Sequence, residues 1–140
     1  MKISTKGRYG LKAMIDIAVY ATENQTTLKN IALRQDISEA YLEQLVANLK
    51  KAGLVKSTRG AKGGYVLAKD AKEIKVGTIL RALEGSLSPV DCEKNGCHDN
   101  CKCCVSKTVW SRLEESLNDA ADAITLDELA DDYKKVNNID

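Results

Sequence analysis

The sequence has few aromatic residues, almost no proline and no long apolar run. Its 140 residues include no Phe, one Trp and one Pro, so the core that 44% hydrophobic residues can build must be aliphatic. One Pro and nine Gly exclude collagen-like and proline-rich disordered chains. No apolar stretch approaches the roughly 20 residues of a membrane span, and the first seven residues show no signal-peptide pattern. We therefore expect a cytoplasmic protein without a membrane partner, built as one small domain with at most a helical appendage.

Catalytic machinery is also missing. The single histidine, His98, lies among cysteines, and no Ser-His-Asp constellation surrounds it in the sequence. The glycine-rich stretch 60–64 lacks the Gly-Lys-Ser/Thr that cradles a nucleotide phosphate. The sequence therefore predicts a protein that is not an enzyme.

The near-neutral charge conceals two halves of opposite sign. Residues 1–70 hold twelve basic and six acidic residues, a net charge of +6, whereas residues 71–140 hold nine and fourteen, a net charge of −5. No acidic residue lies between Gln44 and Lys69. Clustered positive charge is typical of a phosphate-binding surface, although an ordinary solvated basic face is the alternative.

Helical periodicity and capping residues predict a helix-turn-helix. A first helix over 4–21 carries an apolar stripe formed by Leu11, Met14, Ile15, Ala18 and Val19. Thr27 and Ser38 are suited to cap two further short helices, and Gly53 suits the position after the last of them. Two short β-prone runs around the basic glycine-rich loop 59–64 follow directly, which indicates the hairpin of a winged helix.

The second half is predicted to contain helices and one loop. A helix over 76–84 ends at Gly85, and a helix over 105–124 has an apolar stripe that needs a partner. That partner is a second copy of the chain or, in cis, the first helix. A capping box, Thr125 with Glu128, opens a last helix through Tyr133, and 134–140 is predicted to fray. The fold class is thus mainly α with a small β-hairpin wing, divided into a DNA-binding domain (1–85), a cysteine-rich loop (86–104) and a dimerisation region (105–140).

The third helix is the candidate reader of the DNA major groove. Glu43 and Gln44 lie near its start, and their side chains can bond cytosine and adenine edges. They could equally be exposed helix formers. Arg59 and Lys62 lie at the wing tip, where Arg59 could enter a narrow minor groove and the glycines let the backbone approach a phosphate.

All five cysteines lie within thirteen positions, at Cys92, Cys97, Cys101, Cys103 and Cys104. An odd, local cluster does not suit a disulfide framework, which spreads its cysteines along the chain. Thiolates select zinc, copper(I) or iron–sulfur clusters. Zinc usually takes paired cysteines from two separate segments, so a single loop favours a cluster, with zinc or a thiol redox switch as alternatives.

Three blocks in this order resemble a bacterial regulator family that includes IscR, NsrR and CymR. The blocks are residues 2–10, residues 38–45 with Tyr41-Leu42-Glu43-Gln44-Leu45, and Arg59-Gly60-x-x-Gly63-Gly64-Tyr65. The cysteines place the chain nearer IscR, as does the segment 104–110. The resemblance implies that Cys92, Cys97 and Cys104 ligate an iron–sulfur cluster, with 2Fe-2S preferred over 4Fe-4S. Lys107 and Arg8 replace fourth ligands of the family, which leaves Cys101, Cys103 or His98.

The sequence hypothesis is therefore a homodimeric transcriptional repressor that binds a double-stranded DNA operator and senses iron–sulfur status. It would control cluster biogenesis genes, with cluster-assembly proteins as possible further partners. The alternatives are a cluster-free regulator of cysteine metabolism acting through a partner enzyme, a zinc or thiol redox-switch repressor, and a cluster carrier. The predicted DNA-contacting residues are Lys6, Ser38, Tyr41, Glu43, Gln44, Arg59, Gly60 and Lys62.

Overall fold

A computed structural model describes residues 2–22, 24–60, 63–90 and 105–140. Within these ranges there are six α-helices and one two-stranded antiparallel hairpin, in the winged-helix arrangement that the sequence predicts. The elements in chain order are α1 Thr5–Tyr20, α2 Leu28–Gln35, α3 Glu39–Lys51, β1 Val55–Thr58, β2 Gly64–Leu67, α4 Val76–Glu84, α5 Ser106–Asp122 and α6 Leu126–Val136. A short 3-10 turn, Ala71–Glu73, precedes α4. No helix in the described part of the chain is long and apolar enough to cross a membrane.

The predicted helix caps are confirmed. Thr27 Oγ1 accepts a hydrogen bond from the Asn30 N–H at 3.2 Å, and Ser38 Oγ accepts one from the Tyr41 N–H at 3.3 Å. Each bond satisfies a backbone donor that the first turn of a helix leaves without a partner. After α3 and α4 the chain turns through Gly53 and Gly85, with φ of +77° and +82°, a region that favours glycine. Local chemistry thus fixes these boundaries.

The core is aliphatic, as the composition requires, and α1 lies at its centre. Neighbours pack around α1 from α2, α3, α4, α6 and β2. The predicted stripe lies against this core, with Met14 and Val19 buried and Leu11, Ile15 and Ala18 half-buried, but it omits the fully buried Ala13 and Ile17. A helix enclosed on several sides has no single apolar face, and so one stripe describes it poorly.

The C-terminal helix is longer than the sequence predicted. The prediction that residues 134–140 fray is wrong for the first three of them, because α6 continues to Val136. α6 packs against α1, and the Tyr133 and Tyr20 rings meet edge to face with centroids 6.1 Å apart. Beyond the helix, the Ile139 N–H still bonds the Lys134 carbonyl at 2.8 Å. Lys134 and Lys135 in the last turn suit the negative end of the helix dipole, which is a local reason for the helix to continue past Tyr133.

Helix α5 packs against α4, not mainly against α1 as the in-cis alternative supposed. Arg81 on α4 donates to Asn118 Oδ1 at 2.8 Å and to Asp122 Oδ1 at 2.7 Å. Gly77 lies under the same carboxylate, and a Cβ at that position would collide with it. A glycine and an arginine fork therefore fix how closely the C-terminal half of α5 approaches α4.

Candidate nucleic-acid interface

The second helix of the helix-turn-helix presents one face to solvent. α3 buries Leu42, Leu45, Val46 and Leu49 in the core. Glu43 and Gln44 lie on the opposite face and are exposed, as is Ser38 at the cap. The two predicted base readers are thus available to a ligand along the outer face of α3, which a major groove is wide enough to admit.

Tyr41 lies at the edge of this face and contacts α1. Its hydroxyl donates a hydrogen bond to Thr5 Oγ1 at 3.1 Å, and its ring meets the Tyr9 ring edge to face with centroids 6.1 Å apart. Tyr41 is half-buried. It therefore links the start of α1 to the first turn of α3, in addition to its predicted contact with DNA.

The start of α1 contributes cations beside this contact. Lys6 and Arg8 are exposed in its first turn, and Lys12 lies one turn further. The Lys12 ammonium lies 5.4 Å from the centroid of the Tyr9 ring, and the Arg8 guanidinium lies 5.8 Å from it. Arg8 and Lys12 are thus joined to the first turn of α3 through the Tyr9 and Tyr41 rings.

The wing pairs in a regular antiparallel register, with Val55 opposite Leu67 and Thr58 opposite Gly64. Arg59 and Gly60 follow β1 and are exposed, and Gly60 has a φ of +116°. Lys62, the other predicted wing cation, lies outside the described residues. Lys50 near the end of α3 donates to Ser57 Oγ on β1 at 2.9 Å, which adds a cation between helix and wing.

A contact that the sequence did not predict ties the wing to the loop before α2. Thr26 and Tyr65 exchange two backbone hydrogen bonds, of 3.1 Å and 2.7 Å. A Cβ at Gly64 would collide with the Thr26 carbonyl, so the glycine permits this approach. The loop has no strand-like pattern of its own. The pairing is possible because β2 of the wing runs alongside this loop.

An ion pair with a buried carboxylate holds the same loop through Thr26. The fully buried Asp16 carboxylate accepts from Arg34 Nε at 2.9 Å, from Arg34 NH2 at 2.7 Å and from Gln35 Nε2 at 2.8 Å. Arg34 also donates to Thr26 Oγ1 at 2.7 Å and stacks 4.0 Å from the Tyr20 ring centroid. The hydrogen bond with Asp16 raises the pKa of Arg34. Asp16 on α1 is thus connected to α2 and, through Arg34, to Thr26, the residue that pairs with the wing.

Apolar periodicity could not reveal the role of Asp16, which is the one carboxylate within α1. A lone carboxylate on a predicted core helix was the available signal. Buried carboxylates need partners, but the sequence does not say which cation supplies them.

The predicted metal ligands Cys92, Cys97 and Cys104, and the fourth-ligand candidates His98, Cys101 and Cys103, lie outside the described residues. Within the described ranges no group of three or more His, Cys, Asp or Glu side chains could hold a metal ion. The described chain stops after Val90 and resumes at Val105. The ligand assignment therefore stays a prediction that the family resemblance implies.

An uncovered apolar row runs from the residue before α5 through the first half of that helix. Val105, Val109 and Leu113, spaced by four, have exposed fractions of 83%, 51% and 39%. The row continues into Leu117 and Ala121, which line a cavity of about 580 Å³ between α4, α5 and the N-terminal segment. An exposed apolar row of this length is typical of an interaction surface.

Comparisons with known proteins agree with this architecture. A sequence model named Rrf2, described as an iron-dependent transcriptional regulator, matches residues 3–132. The HTH-type transcriptional regulator CymR of Bacillus subtilis is 47% identical over 130 residues, which cover 93% of this chain and 90% of CymR. The HTH-type transcriptional regulator IscR of Vibrio campbellii is 42% identical over 132 residues, which cover 94% of this chain and 79% of IscR.

Solved structures give the same two neighbours. A structure of CymR, described as the global cysteine regulator of B. subtilis, matches with a TM-score of 0.79 and 46% identity, over 94% of this chain and 97% of that one. A structure of T. potens IscR also matches with a TM-score of 0.79, at 47% identity over 97% of this chain and 90% of that one. These relatives are named as regulators, which confirms the expectation that the chain is not an enzyme.

Proposed function

Because the chain belongs to the Rrf2 family of transcriptional regulators, we propose that it is a homodimeric repressor whose operator binding responds to an iron–sulfur cluster. In this proposal residues 1–85 bind DNA, residues 86–104 sense, and residues 105–140 dimerise. The observation that carries the DNA-binding part is the exposed face of α3, flanked by α1 cations and the wing.

Base reading is assigned to Glu43 and Gln44, which are exposed on α3. Glutamine can bond adenine through two hydrogen bonds, and glutamate accepts from cytosine N4. A carboxylate on a basic face also repels phosphate and unsuitable bases, so Glu43 acts mainly against wrong sequences. Ser38, Tyr41, Lys6, Arg59, Gly60 and Lys62 complete the proposed contact set, largely toward the DNA backbone and minor groove.

Dimerisation is assigned to the apolar row of α5. Val105, Val109 and Leu113 need cover, and a twofold interface can bring the same row from a second copy against it. A dimer would present two recognition helices to two half-sites of an operator.

The donor set of residues 92–104 fits an iron–sulfur cluster. Five cysteines and one histidine occur there, and thiolates are the ligands that such clusters prefer. Cys92, Cys97 and Cys104 would hold the group, with Cys101, Cys103 or His98 as a fourth ligand. A bound cluster would supply a redox- and iron-sensitive crosslink among these thiolates, 2Fe-2S in preference to 4Fe-4S. The segment joins α4 to α5, so its thiolates lie between the DNA-binding and dimerising parts of the chain.

The similarity to CymR favours a second candidate function. CymR is named as a cysteine regulator and is as similar to this chain as IscR. In this alternative the protein holds no cluster and controls cysteine metabolism through a partner enzyme. Zinc or a thiol switch at the same cysteines forms a third arrangement.

Metal analysis of protein purified without oxygen separates these functions. The cluster hypothesis predicts a coloured protein that contains iron and acid-labile sulfide. Cys92→Ala, Cys97→Ala and Cys104→Ala should each abolish the cluster. A colourless preparation with stoichiometric zinc would refute the cluster, and full iron content in any one variant would remove that cysteine from the ligand set.

DNA selection from a random-sequence pool tests the other half of the proposal. Glu43→Ala should broaden the sequences that are recovered, whereas Arg59→Ala should weaken binding by about 1–3 kcal/mol. An unchanged ranking of selected sequences with Glu43→Ala would refute its role in specificity. Absence of any sequence-selective, salt-dependent DNA binding by the wild type would refute the proposed function as a whole.

A further inference from the structure

Helix α1 does not cap its own N-terminus. Ser4 occupies the N-cap position, but its side chain makes no capping hydrogen bond, and the first turn contains no acidic residue. The first four N–H groups of a helix have no partners within it, and the aligned peptide dipoles leave partial positive charge at that end. A helix whose start is held in place therefore needs an acceptor from elsewhere in the fold.

Glu84, the last residue of α4, supplies that acceptor. Its Oε1 accepts from the Ser4 N–H at 2.9 Å, from the Ser4 hydroxyl at 2.5 Å and from the Gly7 N–H at 3.0 Å. The approach depends on Gly7, since a Cβ there would come within 2.5 Å of Oε1. One turn further, a Cβ at Gly10 would collide with Leu83, so two glycines let α4 cross close to α1.

The end that Glu84 holds is the end of α1 that faces the candidate nucleic-acid interface. Lys6 and Arg8 are exposed within its first turn. The same turn contains Thr5, whose Oγ1 accepts the hydrogen bond from the Tyr41 hydroxyl on α3. Displacement of this turn would therefore move the cations and also remove a support of the first turn of α3.

We propose that Glu84 is a positioning residue for DNA binding, which holds the start of α1 so that its cations and Tyr41 meet the duplex together. The inference rests on the proposed DNA-binding function and assigns to it a residue of α4 that carries the wrong charge for a phosphate contact. Glu84 acts through Ser4 and Gly7, and not through contact with DNA.

A purely electrostatic effect and a positioning role predict opposite changes in DNA affinity when this carboxylate is removed. Removal of a negative charge near a phosphate-binding face should tighten DNA binding by Coulombic attraction alone. If Glu84 positions α1, its removal should weaken binding, because the α1 cations no longer reach their phosphates. The number of neutralised phosphates sets the slope of log Kd against log salt, and on duplex DNA each phosphate accounts for about 0.9 of that slope.

The experiment measures anisotropy of a labelled duplex, selected from random-sequence DNA with the wild-type protein, at several salt concentrations. The full-length wild type is compared with Glu84→Ala, Glu84→Gln and, as a matched change of charge on an exposed glutamate, Glu73→Ala. Glu84→Ala should raise Kd about tenfold and reduce the salt slope by about one. Glu84→Gln keeps an Oε1 acceptor for the same donors, and should stay within about threefold of the wild type. Glu73→Ala should leave Kd unchanged or lower it.

Equal or tighter binding by Glu84→Ala would overturn the proposal, as would an equally large weakening in Glu84→Gln. Thermal unfolding of each variant is measured alongside, since a purely structural role would lower Tm and leave the affinity of folded protein and its salt slope unchanged. If Glu84→Ala does not fold, Ser4→Ala and Glu84→Gln together test the proposal in its place. Ser4→Ala removes only the hydroxyl donor and should weaken binding about threefold, and unchanged binding would count against the proposal.

Failure of this inference is distinct from failure of the proposed function. If the wild type selects no duplex, the DNA-binding function itself is refuted. If the wild type selects a duplex and Glu84→Ala binds it equally well, only the role of Glu84 is refuted.

Discussion

Partial recovery of stability in a double variant is the sharpest test of the buried Asp16–Arg34 pair. The Asp16 side chain is fully buried, with an exposed fraction of 0%, whereas Arg34 retains 28%. The two members are therefore not equivalent. Without Asp16, the guanidinium can still reach water. Without Arg34, the carboxylate stays in the core and keeps only the hydrogen bond from Gln35, one of the three that it accepts in the described structure.

The expected magnitudes follow from this asymmetry. Arg34→Met strands a buried charge and should lower the free energy of unfolding by about 3–5 kcal/mol. Asp16→Asn keeps the volume and one acceptor, and should lower it by about 1.5–3 kcal/mol. The double variant should be more stable than Arg34→Met alone, because the neutral amide can pair with Gln35 and no charge is stranded. Arg34→Met and the double variant both remove the interactions of Arg34 with Tyr20 and Thr26, so these cancel in that comparison.

Urea denaturation followed by far-UV circular dichroism measures these differences, at one fixed protomer concentration because association would itself change apparent stability. Arg34→Lys is the control that keeps the charge and removes the fork geometry. A double variant less stable than Arg34→Met, or effects of the two substitutions that simply add, would show that the carboxylate is not stranded by the removal of Arg34 and would refute the reasoning.

Three further predictions concern α5, α4 and the Tyr20–Tyr133 pair. Val109→Asp places a charge in the exposed apolar row and should shift the protein toward monomer in analytical ultracentrifugation, and an unchanged mass would exclude this row from the interface. Gly77→Ala should lower the free energy of unfolding by about 1–3 kcal/mol, since its Cβ would meet the Asp122 carboxylate, and a neutral thermal shift would contradict this packing. The hydrogen bond with Tyr133, aided by burial, raises the pKa of Tyr20 from 10.0 to about 12. Because the folded pKa is the higher one, the stability contributed by the protonated phenol is complete below pH 10 and disappears between pH 10 and 12. Tyr133→Phe should lower that pKa in a phenolate absorbance titration, and an unmoved titration would refute the assigned cause.

The parts of this fold that the sequence predicts are those decided by local chemistry. Thr27 and Ser38 have side-chain oxygens within reach of the backbone donors that begin α2 and α3, so their roles need no tertiary information. Gly53 and Gly85 mark positions with positive φ for the same reason. The exposure of Glu43 also follows from the apolar spacing of α3, which leaves one face for solvent.

The parts that it does not predict depend on neighbours far away in the chain. Glu84 caps a helix whose N-cap residue, Ser4, lies 80 residues earlier, and no pattern within either helix indicates the pairing. Asp16 finds its cation 18 residues later. Propensity is a weak signal wherever tertiary contacts supply more free energy.

The C-terminal part of the chain and its N-terminal half carry opposite net charges. Residues 105–140 contain four basic and nine acidic residues, a net charge of −5, and this part of the molecule also carries the apolar row of α5. An acidic surface is repelled by phosphate, and the basic half, with a net charge of +6, is attracted to it. In the proposed dimer on DNA, this difference would keep the α5 row available to the second copy while α3 and the wing face the duplex. Across such a dimer interface the two acidic regions would also repel each other, so apolar burial along α5 must exceed that repulsion. Dimerisation should therefore strengthen as salt screens the acidic residues, whereas DNA binding should weaken over the same salt range. Sedimentation equilibrium and anisotropy titrations across one salt series measure the two trends, and a dimer that dissociates as salt rises would refute this balance of forces.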